Sequence, residues 1–123
     1  MRTVLAGLAV AVLATGFAPA QRVSEAAEVD ALLTPLPVAP AAASEVDSRC
    51  QAFLSKAADL QRRIETDQRP ATIETVYLPF DALFQLLQTG NFEMALLSET
   101  NPAAPIRAAA ERCTQKLADL AIA

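Results

Sequence analysis

Residues 44–64 have the sequence SEVDSRCQAFLSKAADLQRRI, which predicts an amphipathic helix. The apolar residues recur 4, 3, 4, 3 and 4 positions apart, so they lie along one face of that helix. They are Val46, Cys50, Phe53, Ala57, Leu60 and Ile64. Ser44 suits the N-cap, and the acids that follow it favour the positive end of the helix dipole. Arg69-Pro70 is expected to end the helix, because the residue before a proline is disfavoured in the α region.

A second helix is predicted from Thr72 to Gly90, with Pro79 either kinking it or starting a later helix. Its predicted apolar face carries Ile73, Val76, Tyr77, Phe80, Leu83, Phe84 and Leu87. Asn91 is expected to cap a separate short helix that carries Phe92, Met94, Leu96 and Leu97.

The last helix is predicted from about Pro105 to Ala121 and again has one apolar seam. The seam consists of Ile106, Ala110, Cys113, Leu117 and Leu120. No run alternates apolar and polar residues for long enough to indicate a strand. The sequence therefore predicts an all-α domain, a small three- to four-helix bundle over residues 44–123.

The N-terminal part has the composition of an export signal followed by a linker. Arg2, the uncharged run from Thr3 to Phe17 and the small residues Ala18 and Ala20 predict a signal peptide over residues 1–20. The alternative is an uncleaved membrane anchor, although the run is barely long enough to span a bilayer. Residues 21–43 are rich in proline and alanine and are predicted to be flexible. We expect an exported protein, of the bacterial periplasm, without stable membrane insertion once the leader is removed.

Cys50 and Cys113 each lie on a helical seam, and in an oxidising compartment they are candidates for a disulfide. Two reduced, buried cysteines are the alternative, and the sequence does not choose between them. A catalytic redox role is disfavoured, because there is no Cys-x-x-Cys spacing and burial opposes thiolate formation.

Three aromatic residues of the second helix, Tyr77, Phe80 and Phe84, have two interpretations. By default they belong to the core, and alternatively they form an exposed groove for a peptide or a protein partner. The oligomeric state cannot be predicted.

The composition excludes several kinds of chemistry. The chain contains no histidine, which removes imidazole acid–base catalysis, Ser-His-Asp catalysis and His-ligated zinc. No catalytic residue, metal ligand or cofactor is predicted, and as it stands the chain is not expected to be an enzyme. The formal charge is −4, and without Arg2 it becomes −5, nine basic against fourteen acidic residues. Nucleic acid is therefore not an expected partner.

The C-terminal half resembles the beginning of the thimet oligopeptidase/neurolysin family of zinc metallopeptidases, which includes oligopeptidase A. The resemblance lies in TIETVYLPFDAL at residues 72–83, and in Asn101-Pro102 followed by IRAAAERC at residues 106–113. It implies an all-α fold whose N-terminal helices form one wall of a deep channel and limit access to short peptides. The family's His-Glu-x-x-His zinc motif has no counterpart here, so no catalytic or metal-binding residue carries over.

Two hypotheses follow from these observations. The first is a non-catalytic exported helical domain equivalent to that channel-wall region, either truncated or free-standing. The second is a free-standing periplasmic interaction protein that binds a partner helix or a short peptide.

Overall fold

The computed structural model describes residues 18–36 and 39–122. It contains four α-helices, α1 (Ala18–Leu33), α2 (Ala43–Thr66), α3 (Leu78–Thr100) and α4 (Ala104–Ala121), and a π-helical turn, Ile73–Tyr77, before α3. No strand occurs in these residues, and the prediction of a small all-α bundle is confirmed. Within the same ranges, none of the helices combines the length and the apolar character needed to cross a membrane.

The core lies where α2, α3 and α4 meet. The predicted seams of α2 and α4 are buried along most of their length, with Phe53 and Leu117 completely enclosed. α3 contributes Leu86 and Met94, which are also fully enclosed. The seam pattern predicted the buried faces of α2 and α4 correctly, because each of these two helices has a single apolar stripe.

A disulfide joins Cys50 of α2 to Cys113 of α4, with the two Cα atoms 5.7 Å apart. Both residues are at most 4% exposed. Of the two alternatives that the sequence leaves open, the disulfide is the one that the structure contains. It fixes the spacing of α2 and α4 from inside the core.

The segment predicted to be flexible, residues 21–43, is helical as far as Leu33. Val29 and Leu32 are three positions apart and are buried against the bundle, and the first proline, Pro35, comes only after the helix has ended. The prediction failed because the prolines of this segment all follow Leu33, whereas the alanines before it favour a helix and Val29 and Leu32 give that helix a buried contact. The predicted signal peptide falls largely on residues 1–17, outside the described residues, and stays a prediction.

Arg49 of α2 holds the end of α1 against the bundle. Its Nη2 atom donates to the carbonyl oxygens of Leu32 at 2.8 Å and Thr34 at 3.0 Å. The same guanidinium forms a bidentate pair with Glu93 of α3, with N–O distances of 3.0 and 3.1 Å, and lies over the ring of Phe53. The Arg49 guanidinium thus satisfies two carbonyl groups at the end of α1 and links α1 to α2 and α3.

We expect Arg49→Met to lower the free energy of unfolding by about 2–3 kcal/mol, because it leaves the half-buried Glu93 carboxylate without its guanidinium partner. Urea denaturation followed by circular dichroism measures this loss. Arg62→Met is the matched control, since Arg62 pairs with Asp59 on the exposed surface and should change stability by less than about 1 kcal/mol. Equal effects of the two substitutions would contradict the anchoring role of Arg49.

α3 continues through Gly90 to Thr100, so the predicted helix end at Gly90 and the separate helix from Asn91 are wrong. The backbone of Gly90 does not have the positive φ that a C-terminal glycine adopts. Gly90 is instead buried where α3 approaches the rest of the core, and a Cβ atom there would lie 3.0 Å from Leu117 and 3.2 Å from Phe53. The absence of a side chain at Gly90 thus permits α3 to approach the core closely.

The bounds of α2 also differ from the prediction. The helix begins at Ala43 rather than after a Ser44 cap, and Glu45 accepts a hydrogen bond from the Ala41 N–H group. It ends at Thr66, before Arg69-Pro70. There the Arg69 side chain and backbone donate hydrogen bonds to Asp67, and these bonds hold the pKa of Asp67 at about 2. This ion pair closes the turn that leads to the π-helical segment.

Candidate functional site

The predicted contact residues lie on an exposed apolar surface that runs along the π-helical turn and the start of α3. Tyr77, Phe80 and Phe84 are 60%, 55% and 53% exposed, respectively. Their assignment to the core is therefore wrong, and the exposed alternative describes their positions. Ile73, Val76 and Leu78 are exposed beside them.

Phe80 and Phe84 are exposed because α3 has two apolar faces and only one of them is buried. One face carries Pro79, Leu86, Gly90 and Met94 and is buried. The face that the sequence favoured, with Phe80 and Phe84, turns outward, while Leu83 and Leu87 lie between the two and are half-buried. The π-helical turn, whose hydrogen bond from Leu78 N–H reaches back to the Ile73 carbonyl, adds a residue to one turn and shifts the register at Pro79.

A groove lies between the C-terminal ends of α2 and α4 and the first half of α3, with a cavity volume of about 440 Å³. We call it the aromatic groove. Its apolar wall consists of Ile64, Phe80, Leu83, Phe84, Leu87 and Leu120, and its polar rim of Gln61, Glu65, Gln88 and Asn91. Each of the three core helices contributes to the wall, so the groove depends on how they pack.

A smaller concavity of about 340 Å³ adjoins the groove and is lined by Ala71, Thr72, Ile73, Val76, Tyr77 and Phe80. Phe80 borders both depressions, whereas Tyr77 borders only this one and Phe84 only the groove. The predicted trio is thus divided between two adjacent apolar depressions, with Phe80 as the ridge that separates them.

The π-helical turn is held in place by a reciprocal cap. The Thr72 hydroxyl accepts from the Thr75 N–H group at 3.2 Å, and the Thr75 hydroxyl accepts from the Thr72 N–H group at 2.8 Å. Thr75 also donates to the Pro70 carbonyl at 2.8 Å and is the buried residue of this turn. Because the two threonines fix the backbone, Ile73, Val76 and Tyr77 are presented to solvent in a defined arrangement.

The groove offers apolar contact and side-chain hydrogen bonds. Its rim contains the carboxylate of Glu65, which accepts a hydrogen bond from Gln61 at 3.1 Å, and the exposed amide of Gln88. Within the described residues, no group of three or more Cys, Asp or Glu side chains is placed to hold a metal ion. Both cysteines are taken up by the disulfide. The apolar wall of the groove can contact an apolar segment, and the polar side chains of the rim can hydrogen-bond to the backbone of that segment.

Sequence reasoning missed two wall residues, Ile64 and Leu120. Both had been assigned to the helical seams, and both lie at the C-terminal end of their seam, where the structure leaves them half-buried. Both residues share the groove with the first half of α3. Without knowing which face of α3 turns inward, their place in its wall could not be recognised from the sequence.

No protein-family model, no curated protein and no solved structure matches this chain. The resemblance to the oligopeptidase family consequently rests on residues 72–83 and 101–113 and stays a prediction.

Proposed function

We propose that this chain is a non-catalytic exported helical domain that docks, through its π-helical turn and the start of α3, onto the catalytic part of an oligopeptidase-type zinc metallopeptidase. In that role its helices would form part of the wall of a peptide channel. One observation supports the proposal above the others. The segment that carries the family resemblance, residues 72–83, also contains five large apolar side chains that the bundle leaves exposed, Ile73, Val76, Tyr77, Leu78 and Phe80.

This coincidence has a physical basis. Ile73, Tyr77 and Phe80 are more than half exposed, although burying one such side chain is worth about 1.5–3 kcal/mol. Clustered exposed apolar residues mark interaction surfaces, and aromatic residues are enriched where proteins meet. The Thr72–Thr75 cap further fixes this backbone before any partner arrives, which reduces the entropy lost on docking.

The aromatic groove favours a second candidate function, a free-standing interaction protein that binds a partner helix or a short peptide. Its cavity volume, about 440 Å³, is within the range of ligand-binding pockets. An apolar helix laid into a groove of this kind uses side chains three and four positions apart as anchors. Gln61, Gln88 and Asn91 on the rim would then meet the polar flanks of the bound segment.

Site-specific photocrosslinking separates the two functions. With p-benzoylphenylalanine at position 77, in cells that export the chain, we expect an adduct to a protein that contains a His-Glu-x-x-His motif. The reason is that Tyr77 lies on the exposed resemblance segment and outside the groove. The same group at position 84, inside the groove, reports on the second function by capturing a peptide or a helical protein without that motif. Mass spectrometry identifies both adducts.

The control position is Gln51, an exposed residue of α2 outside the aromatic groove and its neighbouring concavity. A protein captured equally from positions 51 and 77 is a non-specific neighbour. If no zinc peptidase is captured from position 77, the docking proposal is wrong. If position 84 also yields no specific adduct, the second candidate is wrong as well.

A further inference from the structure

α4 is shorter than its two neighbours at the end of the bundle that carries the aromatic groove. Gly90 of α3 lies at the level of Leu117 of α4 and Phe53 of α2, since a Cβ atom at Gly90 would meet both side chains. Beyond this level α4 continues for only four residues, whereas α3 reaches twelve residues back to its start and α2 runs thirteen residues to its end. At the rise of an α-helix, α2 and α3 therefore project about 12 Å past the last turn of α4.

The aromatic groove occupies the space beyond the end of α4. Its apolar wall there consists of Ile64, Phe80, Leu83 and Phe84, and Leu120 closes the near end. Phe80 and Phe84 are more than half exposed at this place. A length of about 12 Å corresponds to about eight helical residues. The groove thus has the position and the length of two further turns of α4.

The charges at both ends of the groove are negative. The C-terminal end of α4 borders one end, and its last turn contains no basic side chain that would offset the negative end of the helix dipole. Towards the other end lies Glu65 of α2, whose carboxylate is the charged group among the described residues that line the groove. The two neighbouring arginines are engaged elsewhere, because Arg62 pairs with Asp59 on the exposed surface and Arg63 lines a separate concavity beside Val29 of α1.

We propose that the groove binds a helical segment of another protein that is apolar over two turns and carries lysine or arginine in its last turn. The bound helix continues the line of α4, with its N-terminus against the C-terminal end of α4, so that opposite ends of the two helix dipoles meet. This direction brings the last turn of the bound helix to Glu65. A basic residue there also suits the negative end of the bound helix itself.

The opposite direction is disfavoured, because it would bring two negative helix ends together at α4. An acidic segment is disfavoured for the same reason, both at Glu65 and through the net charge of the chain, formally −4. Side chains three and four positions apart on the bound helix would contact Phe80, Leu83 and Phe84, in the way that an amphipathic helix fills an apolar groove.

This inference rests on the second candidate function, the binding of a helix in the aromatic groove, and states which kind of helix the groove takes. It is independent of docking to a zinc peptidase through the π-helical turn. Photocrosslinking from position 77 tests that docking separately, since Tyr77 lies outside the groove.

Binding of labelled synthetic peptides to the purified chain, followed by fluorescence anisotropy at low salt, tests the proposal. Three helical peptides share one leucine face and differ only in a pair of charged residues. The pair is lysine in the last turn, glutamate in the last turn, or lysine in the first turn. We expect the peptide with lysine in its last turn to bind at least about threefold more tightly than the one with glutamate there, and the difference to shrink as salt is added.

Glu65→Lys separates the effect of the groove from the intrinsic helicity of the peptides. It should reverse the preference between the two peptides that are charged in the last turn. Lysine in the first turn is about 12 Å from position 65 in the proposed direction, so binding of that peptide should hardly change. Glu111→Lys, at an exposed position of α4 outside the groove, is the matched control and should leave the preference as it is. Phe84→Ser should weaken all three peptides at least about tenfold, because exposed aromatic residues are frequent hot spots of binding.

Each contrary result has a distinct meaning. Binding that depends on Phe84 but not on the charge at position 65 would overturn the proposed partner and leave the second candidate function intact. A response of the first-turn peptide as large as that of the last-turn peptide would overturn the proposed direction. Absence of binding by all three peptides would contradict both this inference and the second candidate function. Self-association of the chain that Phe84→Ser abolishes would assign the groove to a second copy and would also overturn the proposal.

Discussion

Removal of the Cys50–Cys113 disulfide is expected to lower the free energy of unfolding by about 4 kcal/mol. The two cysteines are 63 residues apart in sequence, and in the chain-entropy treatment a loop of that length restricts the unfolded chain by about this amount. Single domains are commonly stable by only about 5–15 kcal/mol, so the loss is a large part of the total. For a domain of this size it corresponds to a decrease in melting temperature of roughly 20 °C.

Thermal denaturation of the Cys50→Ala/Cys113→Ala variant, followed by circular dichroism, measures the effect. Denaturation of the unaltered chain in the presence of a strong reductant should approach the same melting temperature, and reductant should have no further effect on the double variant. Alkylation before and after reduction, read by mass, counts the thiols. Two thiols that react without reduction, or a melting temperature unaffected by reductant, would contradict the disulfide as a determinant of stability.

The disulfide also matters for the aromatic groove. Ile64 of α2 and Leu120 of α4 form part of its wall, and the disulfide sets the spacing of these two helices. A chain without the bond should therefore lose the groove before it loses its helices. If the chain is exported, as residues 1–20 predict, formation of the groove would be coupled to arrival in an oxidising compartment.

The sequence was sufficient for α2 and α4 because each has a single apolar stripe and a polar remainder. A helix with one apolar stripe has one way to face a core, and both seams were predicted correctly except at their C-terminal ends, Ile64 and Leu120, which are half-buried. The position of the disulfide followed from the same seams. Whether it forms could not be decided in advance, since the distance between two helices is not encoded in the spacing within either of them.

The buried face of α3 could not be predicted from apolar periodicity. This helix has one apolar face with Leu86 and Met94 and another with Phe80 and Phe84, and periodicity fits both. The bulkier residues suggested the wrong one. Gly90 lies on the buried face and permits a close approach there, but from the sequence it was assigned to a helix end. For the same reason an exposed groove was only the alternative for Tyr77, Phe80 and Phe84, which were assigned to the core by default.

Phe53→Ala is expected to destabilise the chain by about 3–5 kcal/mol, the usual cost of removing a fully enclosed aromatic side chain. Phe53 is 0% exposed and contacts Gly90 of α3 and the guanidinium of Arg49. Gly90→Val should cost about 1–3 kcal/mol, because its Cβ would meet Leu117 and Phe53 at 3.0 and 3.2 Å before the two methyl groups are added. Urea denaturation of each variant gives the two values.

The Phe53→Ala/Gly90→Val double variant decides whether the two losses of stability have the same cause. If Gly90 is required by the ring of Phe53, the cavity left by Phe53→Ala accepts the valine, and the two costs together fall short of their sum by about 1–2 kcal/mol. Ala58→Val, at an exposed position of α2, controls for the intrinsic effect of a branched residue in a helix and should change stability by about 0.5 kcal/mol or less. Strict additivity would mean that Gly90→Val acts through Leu117 or the helix backbone alone. In that case the close approach of α3 to α2 would not be what selects the buried face of α3, and the outward position of Phe80 and Phe84 would require another cause.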